Sequence, residues 1–461
     1  MFAVPGIAAL MVFILARPQE FLPLLQRVPF LHLFTALAVL GWVIDVRLRR
    51  LQPLATPMFP WALAFLGWCL VTVAAVVPEI LIGKTIELAI LCALYATLAH
   101  GVQRFRTFQI LAAVLMCTCL FITFVCFHQG LAPKQCVGGQ ERAGELNGQP
   151  DGRICESAET CYSNIPEGGL GLEYRCEHVG LFGTYSIEER VRYRGELQDP
   201  NEASLVISAG ALSLLVAFLR RKQGTLTRMV LVGAIAIVLT TIYFSKSRGG
   251  QVSALLVFFV YMVRAYGIWA FIPAGVLALP LLLFGGRGGE AADASTQLRY
   301  EAWATGLNLF KASPVFGVGQ GQFTDHHFLT AHNSFVLTLA ELGFIGLYLF
   351  VCLVYLTLKS LLVGLYQLRD VPGAQSAQVW GMALLASLCG VLFQNNTLSF
   401  AYHSVLWIFF GLVGAWTGAI RHHRPDFDIK LTWRDLFIIA VICIVYVGVV
   451  LPVFLKYKGE L

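Results

Sequence analysis

Apolar segments long enough to cross a membrane recur along the whole chain, with polar stretches between them. A bilayer's hydrocarbon core, about 30 Å thick, is crossed by roughly 20 apolar residues in a helix. The pattern predicts about thirteen spans, near residues 2–16, 31–46, 58–77, 80–99, 107–127, 202–219, 229–244, 251–264, 268–284, 334–357, 379–394, 404–420 and 435–454. The fold class predicted is therefore all-α, a polytopic membrane protein with about 12 to 14 transmembrane helices.

Two long polar segments divide these spans into groups. The predicted parts are N-terminal transmembrane helices at 1–127, a loop at 128–200, transmembrane helices at 201–284, a second loop at 285–333, and C-terminal transmembrane helices at 334–461. In the second loop, Leu298, Ala302, Thr305 and Leu309 recur at helical spacing. This spacing predicts an amphipathic helix at the membrane interface.

Basic residues indicate which side of the membrane each loop occupies. Lys and Arg in short loops stay on the cytoplasmic side, and here every basic cluster follows an even-numbered span, such as Arg47 to Arg50 after the second and Arg220 to Arg228 after the sixth. We therefore expect a cytoplasmic N-terminus and outward-facing long loops. The net charge of +6 consists mostly of these anchors, so no nucleic-acid partner is predicted.

Four of the twelve cysteines lie together in the first long loop, at Cys136, Cys155, Cys161 and Cys176. An even number of cysteines in an exported segment favours two disulfides, with three pairings possible. Zinc binding is the alternative, although no C-x-x-C pair is present. Disulfides would imply an oxidising compartment such as a periplasm and an ordered loop.

Arginines on the outward side are candidate anion ligands. Arg248 lies in a short turn among Ser and Gly residues, and Arg287 and Arg299 precede and begin the predicted interfacial helix. A guanidinium fork binds two phosphate oxygens at once, so a lipid diphosphate is the natural ligand. Each arginine could instead anchor its helix at the membrane surface. Three further arginines, Arg190, Arg192 and Arg194, are interpreted as a solvated charged face.

His332 lies at the mouth of the tenth span and is the candidate general base, because histidine exchanges protons near neutral pH. A hydrogen-bonding surface role is the alternative. Asn333 or Ser334 can cap the helix that follows, which leaves the imidazole free of that role. His326 and His327 are the nearest substitutes for His332, and with Asp325 they lack the spacing of a helical metal site, so no metal is predicted.

Glu341 lies inside the tenth span, where a charge costs at least about 2.5 to 3.5 kcal/mol. It must therefore face the protein interior, either in a structural hydrogen bond or in catalysis. Lys84 and Glu87 are three residues apart in the fourth span and can pair on one helix face. Tyr402 belongs to a polar turn between the last spans.

Several motifs occur in a recognisable order between roughly residues 199 and 420. They are Asp199-Pro-Asn201, Ser247-Arg248-Gly249, Arg299 with Trp303, Pro314 with Gly317 and Gly319, and His332-Asn333 followed by Glu341 and Gly343. This ordered set resembles the O-antigen ligase and O-antigen polymerase superfamily. The cysteine-rich loop departs from the usual pattern of that family, so acceptor recognition cannot be transferred from it.

The resemblance implies a GT-C-like fold with two large periplasmic loops in the bacterial inner membrane. It implies an undecaprenyl-diphosphate glycan as donor, with Arg248 and Arg299 binding the diphosphate and His332 activating the acceptor hydroxyl. The transfer would be inverting and would need no metal or other cofactor. Asp199, Asn201, Asn333 and Glu341 would support these residues.

The acceptor distinguishes the activities that the resemblance allows. A ligase would transfer to lipid A-core, a polymerase of O-antigen or exopolysaccharide would transfer to another lipid-linked repeat, and a protein O-oligosaccharyltransferase would transfer to a protein hydroxyl. A polysaccharide transporter or flippase is an alternative of another class. Transporters usually contain two related halves, and the sequence has no such symmetry.

Overall fold

Helices form most of the chain in the computed structural model. It describes residues 1–53, 56–139, 148–163, 165, 172–273, 275–276, 290–421 and 423–461. The helices are α1 Ala3–Leu15, α2 Phe30–Arg47, α3 Phe59–Val76, α4 Leu81–Gly101, α5 Phe105–Leu131, α6 Pro200–Leu219, α7 Thr225–Phe244, α8 Arg248–Tyr266, α9 Glu290–Ala312, α10 Ser334–Gln367, α11 Gln375–Gln394, α12 Ser404–Ile420 and α13 Trp433–Lys458.

The helices have the length and composition of membrane spans. Within the described residues, 10 are long and apolar enough to cross a membrane, and α1 and α12 are shorter apolar helices. The predicted all-α polytopic membrane class is therefore confirmed. The predicted span at 268–284 lies mostly outside the described residues. Helix α10 extends to Gln367, beyond the predicted 334–357.

The chain forms two compact units. The first contains Met1–Leu10, His32–Leu111 and Gly288–Leu461, and the second contains Met11–Leu31 and Ala112–Arg287. In the first unit, α4 and α12 pack closely because α12 presents glycines. A Cβ added at Gly411 would lie 2.7 Å from the Cβ of Leu98, and one at Gly414 would lie 2.7 Å from the Cβ of Ala99. Small residues commonly let membrane helices approach in this way.

The second unit contains a small antiparallel sheet that the hydrophobic pattern does not predict. Its strands are β1 Lys134–Gly138, β2 Gln149–Ile154 and β3 Tyr174–His178, in the order β2-β1-β3. The strands are short, and β2 is almost entirely exposed. Strands of this kind lack the alternation of apolar and polar residues from which a sheet is predicted.

Two disulfides close the chain around this sheet. Cys136 pairs with Cys161, and Cys155 pairs with Cys176. The prediction of two disulfides is confirmed, and the structure selects one of the three possible pairings. All four sulfurs are used in these bonds, so none of them remains as a zinc ligand.

Peptide mapping under non-reducing conditions tests this pairing. After thiol blocking and proteolysis, mass spectrometry should detect peptides joined through Cys136–Cys161 and Cys155–Cys176. The Cys136→Ser variant should expose Cys161 to alkylation and leave the other bond intact. A peptide joining Cys136 to Cys155 or to Cys176 in the unmodified protein would contradict the pairing.

Candidate functional site

Helix α10 is interrupted at Gly343, and the segment 314–319 lies against the interruption. Gly343 has φ 66° and ψ −167°, outside helical values. Backbone hydrogen bonds join the two segments, from Val318 N to Ala340 O at 3.0 Å, from Gly319 N to Glu341 O at 3.0 Å, and from Phe344 N to Pro314 O at 2.9 Å. Irregular backbone at membrane depth needs such partners. The segment 314–319, which contains Gly317 and Gly319, therefore supplies the hydrogen-bond partners that α10 lacks at its interruption.

Glu341 projects from the helix next to this interruption and is 2% exposed. Its Oε1 accepts a hydrogen bond from Phe323 N at 3.1 Å. Lys84 and the Tyr402 hydroxyl interact with the carboxylate electrostatically. Within the described chain, however, Glu341 Oε2 and the Tyr402 hydroxyl lack a partner in hydrogen-bonding geometry. Lys84 also pairs with Glu87 at 2.7 Å, as its helical spacing predicts.

His332 occupies the residue before the cap of α10, and its backbone has a positive φ of 45°. Left-handed backbone is uncommon for residues other than glycine. Asn333 is the cap, because its Oδ1 accepts from Phe335 N at 3.0 Å and from Val336 N at 3.2 Å. Capping is therefore performed by the asparagine, and the imidazole of His332 is not needed for it.

The beginning of α10 is also fixed by the turn that precedes α12. Ser334 N donates to Asn395 O at 2.7 Å, and Ser334 Oγ donates to Leu398 O at 2.7 Å. The same oxygen accepts from Phe400 N at 2.8 Å. Ser334 is fully buried. These bonds hold the backbone that follows His332 in one position.

Arg299 lies on α9, whose position is tied to the His332 segment. Trp303 Nε1 donates to Ala331 O at 2.9 Å, directly before His332. Trp303 lies one helical turn after Arg299, so the two side chains share a helix face. The Trp303 ring packs on Phe454 with centroids 5.6 Å apart. The interfacial segment predicted from the sequence is thus a helix, and Arg299 and His332 are held within the same unit.

Arg248, in the second unit, is the first residue of α8 and is exposed. Ser247 caps this helix, accepting from Gly250 N at 3.1 Å, and donates from its Oγ to Asn201 Oδ1 at 2.7 Å. Asp199 caps α6 and accepts from both Asn201 N and Asn201 Nδ2 at 2.8 Å. The Asp199–Asn201 motif therefore supports the turn that presents Arg248. A helix N-terminus also favours anions.

Arg190 belongs to this network, which the sequence does not indicate. It donates from Nε to Ser245 O and from a terminal nitrogen to Asn201 Oδ1, each at 3.1 Å. The interpretation of Arg190, Arg192 and Arg194 as a solvated face is wrong, because Arg192 is 4% exposed and donates to Tyr185 O. The predicted ligand Arg287 lies outside the described residues.

Comparison with known proteins identifies a family that part of the chain resembles. Residues 233–351 match the family model described as O-antigen ligase. No curated protein matches the chain. The protein is thus a multi-pass membrane protein, and the similarity of residues 233–351 to this family confirms the resemblance to the O-antigen ligase and polymerase superfamily. The matched segment contains Arg248, Arg299, His332, Asn333 and Glu341.

Replacing Gly343 with alanine should destabilise the first unit. A Cβ there would lie 2.2 Å from Val315 O, and the positive φ is strained for alanine. We expect a loss of at least about 1 to 3 kcal/mol, seen as a lower melting temperature in detergent. Gly233→Ala, at an exposed position of α7 with open space around the Cβ, is the control. Equal melting temperatures for both variants would contradict the account.

Proposed function

We propose that the protein transfers a glycan from an undecaprenyl-diphosphate donor to an acceptor hydroxyl at the periplasmic face of the inner membrane. The O-antigen ligase domain supports an activity of the ligase and polymerase type. The observation that carries the proposal is the bond from Trp303 to Ala331 at 2.9 Å. It ties the helix of Arg299, a candidate phosphate ligand, to the segment of His332, a candidate base.

His332 acts as the general base in the proposed reaction. The imidazole accepts the proton of the acceptor hydroxyl while that oxygen attacks the anomeric carbon of the donor sugar. The bond between this carbon and the phosphate oxygen breaks, and its electron pair leaves with the diphosphate. Attack opposite the leaving group inverts the anomeric centre. General base catalysis of this kind contributes about 10² to 10⁴ fold.

Arg248 and Arg299 are proposed to stabilise the departing diphosphate. Negative charge develops on the phosphate oxygens as the sugar bond breaks, and preorganised guanidinium groups offset it without reorganisation. Arginine suits this role because its donors match two phosphate oxygens. Asp199 and Asn201 hold the turn of Arg248. These positive charges stabilise the leaving group, so the proposed mechanism needs no metal ion.

Asn333 and Glu341 are proposed to support His332. Asn333 caps α10, and Glu341 holds the Phe323 amide in the loop that leads to His332. Lipid A-core is the proposed acceptor, which makes the protein a ligase. A polymerase acting on lipid-linked repeats or a protein O-oligosaccharyltransferase would use the same donor site.

Substitution of His332 should remove the base and leave donor binding intact. With purified protein and a lipid-diphosphate glycan, His332→Ala should lower kcat by about 10² to 10⁴ fold with little change in the donor KM. His326→Ala and His327→Ala are controls from the same loop and should retain activity. A wild-type kcat in His332→Ala would show that His332 is not the general base. A loss of kcat of the same size in His326→Ala or His327→Ala would contradict the role equally.

Substitution of Arg299 should weaken binding of the donor, in contrast to substitution of His332. Arg299→Ala should weaken binding of the donor and lower kcat/KM by at least about tenfold, because a charged hydrogen bond contributes about 1.5 to 3 kcal/mol. Arg299→Lys should recover part of the loss, since lysine keeps the charge but not the fork. Lys311→Ala, on the same helix, is the control.

A deletion strain separates the possible acceptors. If the protein is a ligase, loss of the gene should leave long glycan on the lipid carrier and unmodified lipid A-core. Glycan limited to single repeats would instead indicate a polymerase. Unchanged lipopolysaccharide together with under-glycosylated protein would indicate a protein O-oligosaccharyltransferase.

A further inference from the structure

We propose that the disulfide-closed sheet braces the turn that presents Arg248, and that Glu177 and Glu189 are positioning residues for the donor diphosphate. The inference deepens the proposed function, because it rests on the role of Arg248 as a phosphate ligand. All of its contacts lie within the second unit. The sheet lies outside the segment that matches the O-antigen ligase family.

Glu177 is the first element of the brace. It follows Cys176 on β3 and is 4% exposed. Its carboxylate accepts hydrogen bonds from the Ser186 hydroxyl, from Glu188 N at 2.7 Å and from Glu189 N at 3.2 Å. A buried carboxylate with several donors is strongly held, and losing it would leave those donors unpaired.

The turn held by Glu177 is strained. Glu188 and Glu189 have φ values of 50° and 63°. Each non-glycine residue in this region costs on the order of 1 kcal/mol or more and persists only where its surroundings enforce it. The turn is held by two backbone hydrogen bonds between Ile187 and Arg190 and by the Glu177 carboxylate, which accepts from the amides of Glu188 and Glu189. The conformation of the turn therefore depends in part on the sheet.

Glu189 links the turn to the segment of Arg248. Its carboxylate forms ion pairs with Lys134 on β1 and with Lys246 at 2.9 Å. Hydrogen bonds from Lys134 and Lys246 lower the pKa of Glu189 to about 2, so the carboxylate remains ionised at neutral pH. Lys246 lies two residues before Arg248 and has a positive φ of 47°.

Arg190 and Val191 provide a second link between the turn and α7. Arg190 donates to Ser245 O at 3.1 Å, and Val191 N donates to Phe244 O at 3.3 Å. The chain that leaves the strained turn is therefore bonded directly to the residues that lead into Ser247 and Arg248. A change in the conformation of the turn would therefore move Phe244 and Ser245, the residues that precede the Arg248 turn.

The disulfides make the sheet rigid enough to serve as a brace. Lys134 and Glu177 lie on adjacent strands, and Cys136 pairs in register with Cys176. The two cysteines belong to different disulfides, which tie β1 to Cys161 and β3 to Cys155. Three short, polar strands would be only marginally stable alone. Reduction of the disulfides should therefore make the positions of both Lys134 and Glu177 less fixed.

Hydrogen exchange of the Arg248 turn tests the brace without relying on activity. In Glu177→Ala, exchange of the amides in residues 245–250 should rise about tenfold, whereas residues 299–312 of α9 should not change. Glu173→Ala, at an exposed position just before β3, is the matched control. Dithiothreitol should reproduce the effect in the wild-type protein. Unchanged exchange at residues 245–250 in both cases would overturn the inference.

Lys246 provides a second variant on the protein surface, where a folding defect is not expected. Lys246→Met should raise the donor KM about threefold with little change in kcat, and Lys246→Arg should restore the wild-type KM. If Arg248→Ala impairs transfer but Lys246→Met does not change KM, the brace is wrong and the proposed function stands. If exchange rises as expected but Arg248→Ala transfers normally, the diphosphate role of Arg248 is wrong.

Discussion

The structure depends on satisfying backbone hydrogen bonds where helix α10 is interrupted. Lipid offers no partners for exposed amide and carbonyl groups, so an interrupted helix requires protein partners at the same depth. The segment 314–319 supplies them, because its backbone bonds Ala340 O, Glu341 O and Phe344 N of α10. Trp68 adds a bond to Leu342 O at 2.9 Å. This arrangement fixes the loop that leads to His332, and it explains why glycines with positive φ occur at Gly317, Gly319 and Gly343.

In the second unit, backbone groups at the helix ends are also paired, but with side chains and not with other backbone groups. There, side chains provide the partners, because Asp199 and Ser247 cap α6 and α8 and Asn201 joins them. Polar groups that would be costly at an apolar boundary are thus paired with one another. The result is an ordered turn that presents the Arg248 side chain at a helix N-terminus.

The sequence predicts the helices well because each membrane span requires a long apolar segment, which is easily detected. It also predicts the pair of Lys84 with Glu87, and it narrows the cap of α10 to Asn333 or Ser334, because both features depend on local spacing. The sheet and the network of Arg190 are not predictable in this way. Their contacts join residues far apart in the chain, as between Arg190 and Ser245, and nothing in the local pattern indicates which distant partner a polar side chain has. Three disulfide pairings were likewise compatible with the sequence.

The activity that we propose is the transfer of a glycan from a lipid diphosphate to a hydroxyl. The most direct measurement is a reconstituted reaction in liposomes that contain the purified protein, an undecaprenyl-diphosphate glycan and lipid A-core, with EDTA present. We expect glycosylated lipid A-core and undecaprenyl diphosphate to form in equal amounts. Intact donor that crosses the bilayer without transfer of its glycan would contradict the account and would indicate a transporter.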